Sequence, residues 1–193
     1  MPSSNRIIIC AAGGGKTTTI VHEAHAESAS RCALITYTKN NEREIHRKFY
    51  SLGPVLPTHV EVMTWFAFLL RELARPYRPV LHTDRIEGFS WQDGRSVPFV
   101  AASNISQHYF YDNRYIYSDK IAKFVCECNR LSGGMVMSRL AQRFDHIFID
   151  EVQDLAGYDL QILELVLKAG IKLSLVGDHR QAILRTNNSN MNA

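Results

Sequence analysis

A run of three glycines, a lysine and three threonines near the start of the chain has the composition of a phosphate-binding loop. Gly13–Gly15 directly precede Lys16 and Thr17, and an apolar segment comes before them. Glycines let backbone N–H groups approach an anion without a Cβ atom in the way, and a following helix adds partial positive charge at its N-terminus. Lys16 is therefore predicted to bind the β- and γ-phosphates of a nucleotide, and Thr17 to coordinate Mg²⁺. Cys10 stands where the usual pattern has its first glycine, and a flexible glycine turn is the alternative interpretation.

A pair of carboxylates much later in the chain is the second candidate for chemistry. Asp150 and Glu151 directly follow the apolar segment Ile147–Ile149. Acids at the end of a strand can hold a metal ion and activate water. Asp150 is therefore predicted to bind Mg²⁺ through a water molecule, and Glu151 to act as the general base. Taken alone, this pair is also consistent with an acidic turn that caps the next helix.

A third segment, Leu175–Gln181, ends another apolar run with an acid and an amide. Asp178 is predicted to lie at the nucleotide, and Gln181 to sense its γ-phosphate. Each of these two residues, taken singly, is also compatible with an ordinary turn.

Composition limits the class of protein. A chain of 193 residues with 46% hydrophobic content can bury one main core and a smaller appendage. Its net charge of +3 is compatible with a polyanionic partner but does not require one. The four cysteines show no disulfide framework, and the Cys126-x-Cys128 spacing is not that of a zinc site. No apolar run approaches the roughly 20 residues of a membrane span, so we expect a cytoplasmic protein without a membrane partner.

Five short apolar runs predict a parallel sheet that is buried on both faces. Helical patterns separate most of them, which indicates an α/β fold with a doubly wound sheet flanked by helices. In such sheets ligands bind beyond the carboxyl ends of the strands, where all three candidate segments fall. The predicted strands are 6–10, 32–37, 59–63, 146–150 and 171–176, and the predicted helices include 17–28, 40–50, 64–73 and 158–169.

The stretch from residue 74 to residue 142 breaks this alternation and is predicted to be a small, mostly helical insertion. It contains prolines, a group of aromatic residues and basic residues such as Lys120 and Lys123. The basic residues either line a channel for a nucleic acid strand or form a solvated face. The aromatic residues either fill the core of the insertion or offer a docking surface to a protein; they are Tyr109, Phe110, Tyr111, Tyr115 and Tyr117.

Three motifs together resemble those of UvrD/Rep-like superfamily 1 DNA helicases. They are Ala11–Thr18, Asp150–Asp154 and Gly177–Gln181. The resemblance implies a P-loop NTPase with a RecA-like motor domain over residues 1–73 and 143–193, interrupted by an accessory subdomain over residues 74–142. It implies ATP and Mg²⁺ as cofactors. The residues it implies are Ala11, Ala12, Gly13, Gly14, Gly15, Lys16, Thr17, Thr18 and Asp178 for binding the nucleotide, with Lys16, Asp150, Glu151 and Gln181 for catalysis.

Two further segments are similar to the nucleic-acid motifs of this family, which implies single-stranded DNA, or RNA, as a partner. Hydroxyls and amides at strand ends can bind phosphates without reading bases, and an exposed aromatic ring can stack on any base. Trp65 is predicted to be the main stacking residue; alternatively it lies with Phe66 on an apolar helix face. The predicted nucleic-acid-binding residues are Thr36, Tyr37, Thr38, Asn41, Thr64 and Trp65.

The sequence departs from the family in two places. No glutamine occurs before Gln92, so nothing corresponds to the family's adenine-reading glutamine, and the sequence continues only to Ala193 after Gln181. We expect a fragment, a subunit completed by a second chain, or a degenerate relative. Alone it is expected to hydrolyse Mg-nucleotide slowly, because an arginine finger contributes about 10³ to 10⁵ in turnover.

Two other functions are compatible with parts of the sequence. One is a nucleotide-binding regulatory module that docks a protein through its aromatic insertion. The other is a small-molecule or nucleotide kinase, which the segment Asp150–Asp154 disfavours. Stimulation of ATP hydrolysis by single-stranded DNA would distinguish a motor domain from a docking module.

Overall fold

The computed structural model describes residues 5–9 and 15–178 of the chain. The strands are β1 (Arg6–Ile9), β2 (Cys32–Thr36), β3 (Val60–Thr64), β4 (Gly88–Ser90), β5 (Phe110–Tyr111), β6 (Tyr115–Tyr117), β7 (His146–Ile149) and β8 (Lys172–Gly177). The α-helices are α1 (Lys16–Ala26), α2 (Lys39–Leu52), α3 (Trp65–Phe68), α4 (Arg75–Tyr77), α5 (Ile105–Tyr109), α6 (Ile121–Leu131), α7 (Met135–Arg143) and α8 (Tyr158–Lys168). A π-helical turn covers Leu69–Ala74, and 3₁₀ turns cover Arg78–Val80 and Val152–Asp154.

A five-stranded parallel sheet in the order β1-β8-β7-β2-β3 forms the main scaffold. The central strands β2 and β7 are buried along their whole length, as the continuous apolar runs predict. The predicted α/β fold of a P-loop NTPase, with a parallel sheet flanked by helices, is confirmed.

Helices α1 and α2 bury apolar faces against this sheet. Ile20 and Val21 of α1 lie in one core cluster with Phe49 of α2 and with Leu34 and Phe148 of the central strands. Burial of such side chains contributes about 1.5–3 kcal/mol each. The packing fixes where α1 begins, at the carboxyl end of the sheet.

A polar network lies at the opposite, amino end of the sheet. The buried His146 ring at the start of β7 contacts the Glu27 carboxylate through Nδ1 at 2.8 Å and the Ser174 hydroxyl through Nε2 at 2.9 Å. Lys172 donates to Glu27 at 2.9 Å, and Arg6 donates to Ser174 at 3.1 Å. The network therefore joins β1, β7 and β8 to the end of α1.

The described residues form two compact units. The first comprises the described residues up to Trp65, Ala141–Asp154, and those from Val166 onward, and it contains the parallel sheet. The second comprises Phe66–Leu140 and Leu155–Leu165. No helix among the described residues is long and apolar enough to span a bilayer.

The second unit contains a small sheet as well as helices. Its strand order is β4-β6-β5, with β4 parallel and β5 antiparallel to β6. The ring of Phe124 packs edge-on against Tyr109 and Phe110, each at a centroid distance of 5.4 Å. Of the five predicted insertion aromatics, Tyr109, Phe110 and Tyr117 are buried, and Tyr111 and Tyr115 are exposed.

Candidate nucleotide-binding site

The residue that leads into α1 is a glycine in a left-handed conformation. Gly15 has φ 71° and ψ 14°, in the left-handed region that glycine adopts without strain. Lys16 is the first residue of α1, and its side chain is only 9% exposed. Its ammonium has no hydrogen-bond or ion-pair partner among the described residues. The predicted cradle residues Ala11, Ala12, Gly13 and Gly14 lie outside the described part of the chain.

One short hydrogen bond joins the beginning of α1 to the acid pair after β7. The Thr17 hydroxyl donates to Asp150 Oδ2 at 2.6 Å, although the two residues are 133 positions apart in the sequence. The other carboxylate oxygen, Oδ1, accepts from the backbone N–H of Glu151 at 3.1 Å. The two residues predicted to hold Mg²⁺ are therefore direct neighbours.

Asp150 is held in a buried position by the sheet itself. Its backbone N–H donates to the carbonyl of Ile35 in β2 at 2.8 Å, and its side chain is almost fully buried. Burial raises the pKa of its carboxyl, and the hydrogen bond from Thr17 partly offsets that rise. The negative charge of Glu151 adds to the rise, whereas the positive charge of Lys16 opposes it.

This environment fits a divalent cation. A buried carboxylate and a hydroxyl are hard oxygen donors of the kind that Mg²⁺ prefers, and a cation beside them would stabilise the charged form of Asp150. Within the described residues no group of three or more His, Cys, Asp and Glu side chains could form a metal cage by itself. A cation at Thr17 and Asp150 would therefore share its coordination with phosphate oxygens and water, which is how Mg²⁺ usually binds.

Glu151, the predicted general base, has a strained backbone and a fixed side chain. Its φ is 58°, a left-handed conformation that costs a non-glycine residue about 1–3 kcal/mol. Gln153 Nε2 donates to Glu151 Oε2 at 2.5 Å, and Gln153 Oε1 accepts from the backbone N–H of Asp178 at 3.0 Å. One amide side chain thus links the general-base candidate to the end of β8.

Gly177 is needed for this link. A Cβ atom at residue 177 would lie 2.6 Å from Gln153 Oε1 and 2.8 Å from Val152 Cγ1, closer than real Cβ contacts allow. Gln153 and Gly177 lie within the predicted motifs, but the sequence alone assigns neither residue a role. The sequence signal for Gln153 is its position three residues after the strand-end acid Asp150. The signal for Gly177 is its position directly before the strand-end acid Asp178. The predicted γ-phosphate sensor Gln181 lies beyond the described residues.

Thr18 is engaged within the protein. Lys48 of α2 donates from Nζ to the Thr18 hydroxyl at 2.9 Å, and Lys48 also pairs with Glu44 on its own helix. Thr18 therefore joins α1 to α2 in this structure. Asp178, by contrast, lies buried beside the acid pair, through the Gln153 link.

The predicted nucleic-acid residues lie at the carboxyl ends of β2 and β3. Thr36 and Thr64 are register partners on these strands, and both side chains are buried. The Thr38 hydroxyl accepts from the backbone N–H of Asn41 at 3.2 Å and so caps the start of α2. Tyr37 and Asn41 are partly exposed.

Trp65 requires a correction. The structure leaves 1% of this residue exposed, so its ring is part of the core and is not available to stack on a base. The prediction that Trp65 is the main stacking residue is wrong, and the alternative of an apolar helix residue is correct. The amphipathic pattern alone could not separate the two, because Phe66 beside it is also aromatic and is partly exposed.

Comparison with known sequences agrees with this geometry. The sequence profile described as an AAA domain matches residues 1–187 of the chain. This domain is found in UvrD/Rep-like superfamily 1 helicases, which confirms the resemblance drawn from the three motifs. A search of curated proteins finds no match. The chain belongs to the AAA domain family, as a helicase-like nucleotide-binding domain of the UvrD/Rep type.

Proposed function

We propose that the first unit binds and hydrolyses Mg-ATP as the ATP-binding motor domain of a superfamily 1, UvrD-like DNA helicase, and couples hydrolysis to single-stranded DNA. The observation that carries the proposal is the 2.6 Å hydrogen bond between Thr17 and Asp150. It brings the start of the helix after a glycine turn against a strand-end acid. That combination supports a Mg²⁺-assisted phosphate site.

Each residue of the site has a distinct task in this proposal. Lys16, a buried ammonium, binds the β- and γ-phosphate oxygens. Thr17 and Asp150 hold Mg²⁺, which when bound neutralises charge that develops on the phosphates. Glu151 accepts the proton of the attacking water, and Gln153 fixes the orientation of its carboxylate.

The link to single-stranded DNA rests on the residues that follow β2. Tyr37 directly follows the buried strand β2, Asn41 lies in the first turn of α2, and both residues are partly exposed. A ring and an amide at that place can contact bases and phosphates of any sequence. We therefore propose Tyr37 and Asn41, rather than Trp65, as the contacts of the first unit with DNA.

A pair of lysine variants tests nucleotide binding. Lys16→Ala should lose binding of a fluorescent ATP analogue, because the phosphates lose the cation at the first position of α1. Lys168→Ala removes the same charge from an exposed position of α8 and should bind as the wild type does. Equal affinity of the Lys16 variant would overturn the proposal.

Hydrolysis tests the remaining steps. Glu151→Gln should keep nucleotide affinity and lose turnover by about 10²- to 10⁴-fold, the usual contribution of a general base. Single-stranded DNA should stimulate the wild-type rate, and Tyr37→Ala should reduce that stimulation. A rate that is indifferent to DNA would favour instead the docking module, for which the exposed Tyr111 and Tyr115 are candidate contacts.

A further inference from the structure

One buried hydroxyl of the first unit makes no hydrogen bond to any described residue. It belongs to Thr36, the last residue of β2, which is only 1% exposed. A threonine hydroxyl can donate one hydrogen bond and accept two. Burying it without a partner is unfavourable, because the group loses the water that bound it in the unfolded chain. Such a group is usually completed by a bound water molecule, ion or ligand.

The register of the sheet places Thr36 beside Asp150. Strands β2 and β7 pair in parallel, and their pairing ends with Ile35 opposite Ile149. The next residue on each strand is Thr36 and Asp150, respectively. The backbone N–H of Asp150 donates to the Ile35 carbonyl at 2.8 Å, so the two strands stay together at this level. The two side chains therefore start from neighbouring backbones, which in a sheet lie about 4.8 Å apart.

Both side chains lie on the face of the sheet that α1 covers. Leu34 and Phe148, two positions earlier on the same strands, are register partners and pack in one core cluster with residues of α1. Because side chains alternate between the two faces of a strand, residues two positions apart share a face. Thr36 and Asp150 therefore face α1, and the hydrogen bond from Thr17 to Asp150 agrees with this.

Thr36 lies on the side of Asp150 that is opposite to the general-base candidate. Gln153 links Glu151 to the residue after β8, and β8 and β2 flank β7 on opposite sides. The Asp150 carboxylate accepts one hydrogen bond on each oxygen, and each oxygen can accept a second. Thr36 is therefore placed to act on the nucleotide site through Asp150 and not through Glu151.

We propose that Thr36 is a positioning residue of the nucleotide site, whose hydroxyl holds one water molecule together with the Asp150 carboxylate when Mg-nucleotide is bound. The inference rests on the proposed function, in which Asp150 holds Mg²⁺, and deepens it. Water that gives its oxygen to a cation has two protons to donate. Asp150 accepts one of them, and a lone pair of the Thr36 hydroxyl accepts the other.

This role differs from the one that the sequence predicts for Thr36. The sequence groups Thr36 with the nucleic-acid-binding residues, among them Tyr37 and Asn41. The structure buries Thr36 and leaves Tyr37 and Asn41 partly exposed. A buried hydroxyl is poorly placed for a strand that passes over the surface, but it can act on the buried acid beside it. The last residue of β2 thus serves the nucleotide, and the next residue serves the proposed DNA contact.

Thr36→Val tests the role by binding, because valine has nearly the same shape as threonine and lacks the hydroxyl. The Mg²⁺ enhancement of binding of a fluorescent ATP analogue to the full chain should fall about tenfold, while the affinity without metal stays the same. Thr36→Ser keeps a hydroxyl and should keep the enhancement. Thr83→Val makes the same change at an exposed position of the second unit and should match the wild type. An undiminished enhancement in Thr36→Val would overturn the proposal.

Urea unfolding of the nucleotide-free chain separates this role from a purely structural one. If the Thr36 hydroxyl finds its partner only with the nucleotide, Thr36→Val should leave the free energy of unfolding unchanged or raise it. Ser174→Ala is the contrasting control, because the Ser174 hydroxyl is buried but contacts His146 and accepts from Arg6, so its loss should lower that free energy. A Thr36→Val variant that unfolds more easily and binds Mg-nucleotide normally would show a structural hydroxyl and overturn the proposal.

Failure of this inference and failure of the proposed function give different results. If Lys16→Ala loses nucleotide binding and Thr36→Val keeps the full Mg²⁺ enhancement, the nucleotide site stands and the role of Thr36 falls. If Lys16→Ala keeps nucleotide binding, both fall. If Thr36→Val weakens binding of a dT oligonucleotide without nucleotide and leaves the Mg²⁺ enhancement intact, Thr36 is a nucleic-acid-binding residue, as the sequence predicts, and the inference is overturned.

Discussion

The carboxylate of Asp150 has one hydrogen-bond donor for each of its oxygens. Thr17 supplies a hydroxyl to Oδ2 and Glu151 supplies a backbone N–H to Oδ1. Because the side chain is buried, these two donors replace the hydration that the charged form would otherwise have. A hydroxyl that donates its proton still has two lone pairs, so the Thr17 oxygen could bind a metal ion while it keeps its hydrogen bond to Oδ2. The Thr17 hydroxyl is therefore the group whose removal separates metal binding from phosphate binding.

Thr17→Val is expected to lose the Mg²⁺ enhancement of nucleotide binding while keeping metal-free affinity. The valine has nearly the same shape but no oxygen, so it removes one metal ligand and leaves Lys16 in position. The loss of Mg²⁺ affinity should be on the order of tenfold to a hundredfold. Titration of a fluorescent nucleotide at several Mg²⁺ concentrations measures it.

Thr17→Ser is the matched control, because it keeps the hydroxyl that donates to Asp150. It should behave like the wild type in the same titration. If the valine variant shows an undiminished Mg²⁺ response, Thr17 is not a ligand of the metal.

Gln153→Glu is expected to reduce turnover without changing nucleotide affinity. The substitution keeps an acceptor for the Asp178 N–H but replaces the donor to Glu151 with a second carboxylate, and like charges repel. The general-base candidate should then leave its position, at a cost of about ten- to a hundredfold in kcat. Steady-state kinetics with KM and kcat determined separately measure the effect. A variant that changes KM alone would assign Gln153 to nucleotide binding instead.

The helical segment that follows β3 explains why the sequence alone could not place Trp65 in the core. It continues from α3 through the π-helical turn Leu69–Ala74 into α4, and the backbone N–H of Arg75 donates to the carbonyl of Leu70, five residues earlier. A π turn has more residues per turn than the 3.6 assumed in periodicity arguments. Which side of such a helix faces the core cannot be read from spacing alone. The assignment of Trp65 therefore needed the structure.

The network at the amino end of the sheet should make stability depend on pH. Burial lowers the pKa of the His146 imidazole; the Glu27 carboxylate opposes this effect, and Lys172 and Arg6 add to it. The unfolded chain then binds more protons than the folded one between the folded pKa and about 6.5. The free energy of unfolding should fall as the pH decreases below about 6.5 and level off below the folded pKa. Urea unfolding at a series of pH values measures this.

The carboxylates contribute at lower pH with a separate signature. Burial alone would raise the pKa of Glu27, but hydrogen bonds from His146 and Lys172 hold it below its ordinary value. The Arg31 guanidinium lowers the pKa of Asp145 to about 2. Both contributions are fully present above the unfolded pKa values of these acids and are lost as the pH falls through the folded pKa values. His146→Gln should flatten only the part of the profile just below about pH 6.5; a profile unchanged there would exclude His146 as its origin.

For the chain as a whole, the sequence predicted the parallel sheet well and the second unit poorly. Long apolar runs bounded by polar turns identified all five strands of the main sheet, because strands buried on both faces leave a continuous hydrophobic signal. Strands β4, β5 and β6 span two or three residues each, too few for any period to appear. The Thr17–Asp150 contact followed from the rule that strand ends meet at one edge. Gln153 could not be assigned a role, because its hydrogen bond to the Asp178 N–H joins segments far apart in sequence.

Hydrogen exchange on the full chain should report the two proposed ligands at different segments. Mg-ATP should slow exchange at the first turn of α1 and at the N–H groups of Glu151 and Asp178, whereas a dT strand should slow it between Tyr37 and Asn41. At a free ligand concentration of about a hundred times Kd, binding raises the free energy of opening by roughly 2.7 kcal/mol. This applies to amides that exchange only through openings that release the ligand. Lys16→Ala should remove only the first pattern and Tyr37→Ala only the second. Protection by ATP confined to the second unit would contradict the assignment of the nucleotide site.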